Sequence, residues 1–324
     1  MLSYLAKRLA GFVPLLLGIS FVSFMVMAMA PGSPVDLMTD MNPKASPEAR
    51  VQLEKYYGLD QPLHVQYRLW LGRIVHGDLG TSFSRDRRPV LDKILEALPI
   101  TLMINVLDLA LILMLAIPIG IYSAARQYSL VDRITTVFVF IGFAMPSFWI
   151  ALLAMMFFGE HLSWLPISGL RSLDYDSMTT LGKVGDRIAH LILPVGIAAV
   201  TGLAGMSRYM RSSMLEVLRQ DYVQTARAKG LSERVVLMRH ALRNALLPVV
   251  TLLGLSIPGL IGGAVIAETI FAIPGMGRLF YTSVLARDYP VVMGITLIGA
   301  LLTLVGNLLA DLMYVAVDPR LRKR

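Results

Sequence analysis

ITLMINVLDLALILMLAIPIGIYS, residues Ile100–Ser123, carries one charged side chain, Asp108, in an otherwise apolar run. A helix needs roughly 20 such residues to cross a hydrocarbon core of ~30 Å, and this run is long enough. Working outward, comparable runs lie at about Leu9–Ala30, Ile134–Phe158, Ala189–Gly205, Ala245–Phe271 and Val291–Val317. The fold class they predict is all-α: a polytopic membrane protein with six transmembrane helices and both ends on one side. Pro14, Pro118, Pro146, Pro194, Pro248 and Pro258 lie in or beside these runs. Membrane helices tolerate proline where neighbours satisfy the freed backbone groups, so kinks are predicted there.

The totals agree. Of 324 residues, 56% are hydrophobic and 16% charged, and the mean hydropathy is +0.64, which excludes an ordinary soluble globular domain. The formal charge of +8 sits in short segments between apolar runs, as in a membrane protein, and does not point to nucleic acid. The first run is too long for a signal-peptide core and is followed by Pro31-Gly32-Ser33-Pro34 rather than a small-residue cleavage site. It reads as a retained anchor.

Orientation follows from Lys and Arg. With a cytoplasmic N-terminus, the inner segments hold Lys7, Arg8, Arg126, Arg133, Arg208, Arg211, Arg219, Arg227, Lys229, Arg234, Arg239, Arg243, Arg320, Arg322, Lys323 and Arg324, more than half of the 30 basic residues. Those of the outer loops are diluted by acids such as Asp78, Asp86, Asp92 and Glu96. Both termini are therefore expected in the cytoplasm. The chain divides into an N-terminal span (1–30), an extracytoplasmic region (31–99), a membrane core (100–317) containing a basic cytoplasmic segment (206–244), and a tail (318–324).

Enzyme chemistry finds no purchase. There is no cysteine, no GxxxxGK[ST] phosphate loop, and no two of His64, His76, His161, His190 and His240 stand at metal-ligand spacing. No catalytic residue, metal site or cofactor is expected in this chain. Asp108, Asp311 and Glu268 are the acids within or near the spans. A mid-bilayer acid costs ~2.5–3.5 kcal/mol on insertion scales. Asp108 and Asp311 serve either as ion-coupling sites of a secondary carrier or as hydrogen-bonding groups between helices.

The most informative extramembrane stretch is Asp221-Tyr222-Val223-Gln224-Thr225-Ala226-Arg227-Ala228-Lys229-Gly230-Leu231-Ser232, with Arg239-His240-Ala241-Leu242-Arg243-Asn244-Ala245-Leu246-Leu247-Pro248-Val249 beyond it. It reads as a short helix with small residues at Ala226 and Ala228, a glycine able to turn the chain, and a second helix leading to a proline at the start of a span.

With that segment the chain resembles the inner-membrane permeases of ABC importers, specifically the first-subunit type of dipeptide and oligopeptide permease. Further matches, in order, are Pro31-Gly32-Ser33-Pro34, Gly58-Leu59-Asp60 with Pro62, Gln66-Tyr67, and Gly77-Asp78-Leu79-Gly80 with Ser82. Beyond them come Glu268-Thr269-Ile270-Phe271, Pro274-Gly275-Met276-Gly277, Arg287-Asp288-Tyr289-Pro290-Val291, Asp311-Leu312-Met313-Tyr314 and Asp318-Pro319-Arg320. The Glu-Ala-Ala that names the family's cytoplasmic loop is here Gln224-Thr225-Ala226, and its usual Pro-Gly-Asp-Pro has Ser33 in place of Asp.

The resemblance implies a five-helix permease core plus an N-terminal span, working by alternating access in the inner membrane. It implies a second, homologous permease subunit, two ATP-binding subunits that hold ATP and Mg, and an extracytoplasmic solute-binding protein. The cargo implied is a short peptide, with nickel, glutathione or another small solute as the alternative. Gln224, Thr225, Ala226, Arg227, Ala228, Lys229, Gly230 and Leu231 would form the loop coupled to the ATPases. Met145, Pro146, Ser147 and Phe148, and Ser256, Pro258 and Gly259, break helical regularity in the third and fifth runs. They either line the path or are packing kinks.

Overall fold

The computed structural model describes residues 2–29, 35, 47–260 and 263–317. The Pro31–Pro34 and Asp318–Arg320 motifs lie outside the described residues, as do the side chains of Pro258 and Asp311. Among the described residues helices dominate, with one isolated antiparallel bridge between Thr81 and Pro89. The helices are α1 (Leu2–Met29), α2 (Pro47–Tyr57), α3 (Leu63–Val75), α4 (Val90–Ala125), α5 (Leu130–Ala144), α6 (Ser147–Ala154), α7 (Thr180–Leu218), α8 (Asp221–Ala228), α9 (Glu233–Val235), α10 (Leu242–Ala245), α11 (Leu247–Ser256), α12 (Val265–Ile270), α13 (Met276–Leu285) and α14 (Tyr289–Val317). α6 continues as a π-helical stretch, Met155–His161, and a second one, Val236–Ala241, joins α9 to α10.

Among the described residues four helices are long and apolar enough to span a bilayer: Arg8–Met29 within α1, then α4, α7, and Tyr289–Ala310 within α14. Two bent pairs bring the number to as many as six, if each is one span. Asp132–Gly142 with Ser147–His161 bends by 101°, and Glu233–Ala245 with Leu247–Ser256 by 43°. The third run, Ile134–Phe158, is thus a bent pair whose break falls at Met145–Pro146, where a kink is expected from sequence. The second pair begins at Glu233, upstream of the fifth run, whose own irregularity is the turn Pro258–Leu260. The all-α polytopic class stands, with four continuous candidate spans among the described residues and up to six if each bent pair is one span.

The chain forms two compact units that interleave along the sequence. The first comprises residues 1–101, 261–265 and 274–308. In it α1 is held to α3 through Tyr67. That hydroxyl is 2.9 Å from Ser20 Oγ, and its ring meets Phe21 edge-on at 5.6 Å and Phe24 at 5.3 Å. Leu79, Val90, Ile94 and Ala97 are buried against Met276, Val291 and Ile295. Thr101 Oγ1 accepts the Met276 backbone N–H at 2.8 Å.

The second unit comprises residues 102–260, 266–273 and 309–324. Its axis is α7, which packs against α5, α6 and α11. At 39 residues and 1.5 Å per residue, α7 is about 58 Å long, well beyond the hydrocarbon thickness. The sequence reading stopped this span at Gly205, because Arg208 and Arg211 end the apolar run. They do not end the helix, so Met206–Leu218 is a rigid extension of the span and not part of a separate loop. α4 approaches closely at Gly120, where an added Cβ would lie 2.6 Å from Met210 Cβ and 2.9 Å from the Ser207 carbonyl. Small residues serve this purpose between membrane helices, where apolar burial alone supplies little drive to associate.

Candidate functional site

α8 begins at Asp221, after a two-residue break from α7, and ends in a Schellman motif. The Leu231 N–H reaches the Ala226 carbonyl at 3.4 Å and the Gly230 N–H the Arg227 carbonyl at 2.9 Å. Gly230 adopts φ +76°, and a Cβ there would meet nothing within 4 Å. The residue is needed for its backbone conformation and not for space. Arg227 then bridges the turn. Its Nε donates to Glu233 Oε2 at 3.2 Å and its Nη2 to Oε1 at 2.7 Å. Asn244 Nδ2 donates to the Tyr222 hydroxyl at 2.7 Å, a second tie between the two arms. Gln224 Nε2 donates to the Leu218 carbonyl at 3.0 Å, closing the corner back onto α7.

Beneath the turn lies a closed apolar core. Val223 and Ala226 of α8 pack with Val236, Ala241, Ala245 and Val249, and with Met210, Met214 and Leu218 of α7. Ala226 is therefore small because its own chain covers it. Ala228, Lys229, Gly230 and Leu231 remain exposed, as do Gln224 and Thr225. Pro248, near the start of α11, removes one backbone donor at the bend, and Ser213 Oγ of α7 donates to the neighbouring Ala245 carbonyl at 2.8 Å. The π-helical Val236–Ala241 has a wider turn than an α-helix, and such turns recur at functional positions. Helix, turn and α7 thus form one braced piece.

A further tie was not read from the sequence. Asp132, near the start of α5, faces Arg211 on the α7 extension: Nη2 donates to Oδ2 at 2.9 Å, while Nε lies 2.9 Å from Oδ1 as an ion contact without hydrogen-bond alignment. Asp132 Oδ2 also accepts the Tyr128 N–H at 2.9 Å. In the sequence Arg211 reads only as an orienting charge, because a pairing across 79 positions leaves no local pattern.

The two path stretches differ in construction. α5 ends at Ala144, and Met145 and Pro146 are extended before α6 begins at Ser147. Pro146, Ser147 and Phe148 are exposed in this chain, Met145 less so. α11 ends at Ser256, whose hydroxyl bonds back to the Leu253 carbonyl at 2.9 Å. A single tight turn, Pro258–Leu260, follows, with Gly259 exposed. Asn105 Nδ2 of α4 donates to the Leu260 carbonyl at 2.6 Å.

In the first unit the structure joins two motifs that had no assigned role. Gly80 N–H donates to Asp78 Oδ1 at 2.8 Å, and Val90 N–H to the Gly80 carbonyl at 3.0 Å, closing the 81–89 hairpin. The Ser82 hydroxyl donates to buried Asp288, whose Oδ1 accepts the Phe83 N–H at 2.9 Å. Lys93 Nζ reaches Ser82 and Ser84 at 2.9 and 2.8 Å and pairs with Asp86 at 2.9 Å.

Broken and continuous apolar helices carrying a turn braced on its own core define a polytopic helical membrane protein, and the sequence places the chain within one family. The model for the inner membrane component of binding-protein-dependent transport systems matches residues 116–323, and the N-terminal model for the same components matches 1–105. The chain belongs to this family, as a multi-pass membrane subunit. Among its relatives, the oligopeptide transport system permease protein AppB of Bacillus subtilis is 48% identical over 99% of both chains. The dipeptide transport system permease proteins DppB of Alkalihalophilus pseudofirmus and of Escherichia coli are each 38% identical, over 99% and 100% of this chain and all of theirs.

Proposed function

We propose that this chain is one permease subunit of an importer that moves short peptides across the cytoplasmic membrane, energised by separate ATPases. Nucleotide and Mg would be bound by those partners, since the sequence has no phosphate loop of its own. A second homologous permease would complete the path, and a solute-binding protein would deliver the peptide outside. The relatives named as oligopeptide and dipeptide permeases support the peptide class. Both termini would be cytoplasmic.

One observation carries the reading: the exposed turn at Gly230 is fixed by its own buried core to α7 and to the start of α11. A push on Ala228–Leu231 cannot be absorbed by loop flexing and must displace the helices. Closure of the ATPases would thereby tilt α7 and the broken α11 as bodies, opening and closing the path without chemistry on the cargo. The interrupted helices at Met145–Phe148 and Ser256–Gly259 would line that path, where backbone irregularity is tolerated against protein or water.

The test is peptide uptake measured beside co-purification of the ATPases for Gly230→Glu. The left-handed conformation costs an L-residue roughly 1–2 kcal/mol, so the turn should distort while the spans insert. Uptake should be lost with expression kept, and full uptake would remove the turn from the mechanism. Asp108 favours one second reading, an ion-coupled carrier, because its Oδ1 is buried without a hydrogen-bond partner among the described residues. Uptake by this chain alone in liposomes, driven by a proton or sodium gradient and lost in Asp108→Asn, would establish that reading instead.

A further inference from the structure

Within the first unit lies a cavity of about 400 Å³ that the transport reading does not use. Its walls include Phe24 and Met27 from the last turns of α1, Trp70 and Arg73 of α3, Asp78, and Met293 near the start of α14. Both α1 and α14 are candidate spans, ending at Met29 and beginning at Tyr289. The cavity therefore sits where hydrocarbon gives way to headgroups.

Its polar groups are unequally satisfied. Among the described residues the Trp70 indole Nε1 is buried and has no hydrogen-bond partner. An indole is a donor only, so burying it unpaired costs free energy that an acceptor would restore. Trp70 is held in place by stacking on Tyr67 at 6.1 Å. The Arg73 guanidinium has no ion-pair partner among the described residues and lies over Gly80. Gln66, by contrast, already donates to the Leu59 and Gln61 carbonyls at 3.3 and 2.7 Å. Asp78 gives one oxygen to the Gly80 N–H and keeps the other.

We infer that this cavity binds a phospholipid with a primary-amine headgroup. Arg73 holds the phosphate, which a guanidinium matches with paired N–H donors. The Trp70 N–H takes an ester carbonyl, and the acyl chain lies along Phe24, Met27 and Met293. Asp78 selects the headgroup: its carboxylate attracts an ammonium, which the uncharged glycerol of phosphatidylglycerol does not offer. A short peptide zwitterion has the same two charges, but it would leave the apolar wall at span depth without a counterpart.

The assembled complex is purified from membranes containing both phosphatidylethanolamine and phosphatidylglycerol, and retained lipid is read by native mass spectrometry. Phosphatidylethanolamine should be retained preferentially. Arg73→Gln should lower its retention about tenfold, and Trp70→Phe, which keeps the ring and removes the donor, about threefold. Asp78→Asn, whose amide oxygen still accepts from Gly80, should erase the preference over phosphatidylglycerol. If Arg73→Gln fails to assemble, Trp70→Phe and Asp78→Asn decide the matter. Equal retention of both lipids by the wild type, or unchanged retention in these variants, would overturn the inference. So would displacement by inorganic phosphate, marking a simple anion site, or by dialanine, marking a place for the cargo.

Discussion

Arg227 and Glu233 face each other across Gly230 and share two hydrogen bonds, of 3.2 and 2.7 Å, so the turn is closed by a side-chain clasp as well as by its backbone. Both side chains are partly exposed, and exposed pairs contribute about 0.2–1 kcal/mol. A double-mutant cycle with Arg227→Ala and Glu233→Ala, read by thermal unfolding in detergent, should give a coupling within that range that shrinks in high salt. A coupling of zero at low salt would show that the clasp contributes nothing.

Ala226 and Ala228 lie two positions apart and should respond oppositely. Ala226 is buried in the core beneath the turn, Ala228 exposed. Ala226→Asp places an unpaired carboxylate among Val223, Val236 and Met214, which costs several kcal/mol, so the protein should be degraded or fail to assemble. Ala228→Asp should be present at wild-type levels and fail only in ATPase association. Equal membrane abundance of the two variants contradicts this assignment.

Asp132 and Arg211 tie α5 to the extension of α7. Asp132 is nearly fully buried, and removing its partner strands a carboxylate. Arg211→Met should cost about 3 kcal/mol, the low end for a buried pair because Arg211 is partly exposed. Asp132→Asn combined with Arg211→Met should recover part of the loss. Melting temperatures of the single and double variants check this, and a double variant no more stable than Arg211→Met alone would refute it.

Asp86 sets the acid limit of the 81–89 hairpin. The Ser84 hydroxyl and then the Lys93 amine hold its carboxyl down to about 2 from an ordinary 3.8. A depressed acid stabilises the fold above its unfolded value and loses that contribution as pH falls through the folded one. Pepsin cleavage between Gly80 and Pro89 should therefore stay slow at pH 4 and accelerate toward pH 2. In Asp86→Asn the acceleration over that window should be absent, and an unchanged profile would remove Asp86 from the explanation.

Topology is open to direct labelling. A single cysteine at exposed Arg85, or at Ser46, which lies outside the described residues, should react with an impermeant thiol reagent from outside in this cysteine-free chain. Labelling only from inside would reverse the orientation.

Much of this was written into local pattern. Apolar runs must be helical where no water can satisfy the backbone, so the all-helical, many-span character follows from composition along the chain. Gly230 was legible for a similar reason, since a left-handed turn between two helices favours one residue type. Hydropathy, however, marks where lipid ends and not where a helix ends, so it missed the extension of α7 beyond Gly205 and gave the break at Pro146 no angle. Nor does any local pattern say which face of α8 its own chain covers. Ala226 and Ala228 look alike in sequence, and only packing against Met214 and Val236 separates them. The pairs Ser82–Asp288, Asp132–Arg211 and Arg227–Glu233, like the unpaired Trp70 indole, depend on side chains that meet, or fail to meet, in three dimensions. Tertiary structure decided those, because a hydrogen bond is set by ångström distances that sequence separation does not encode.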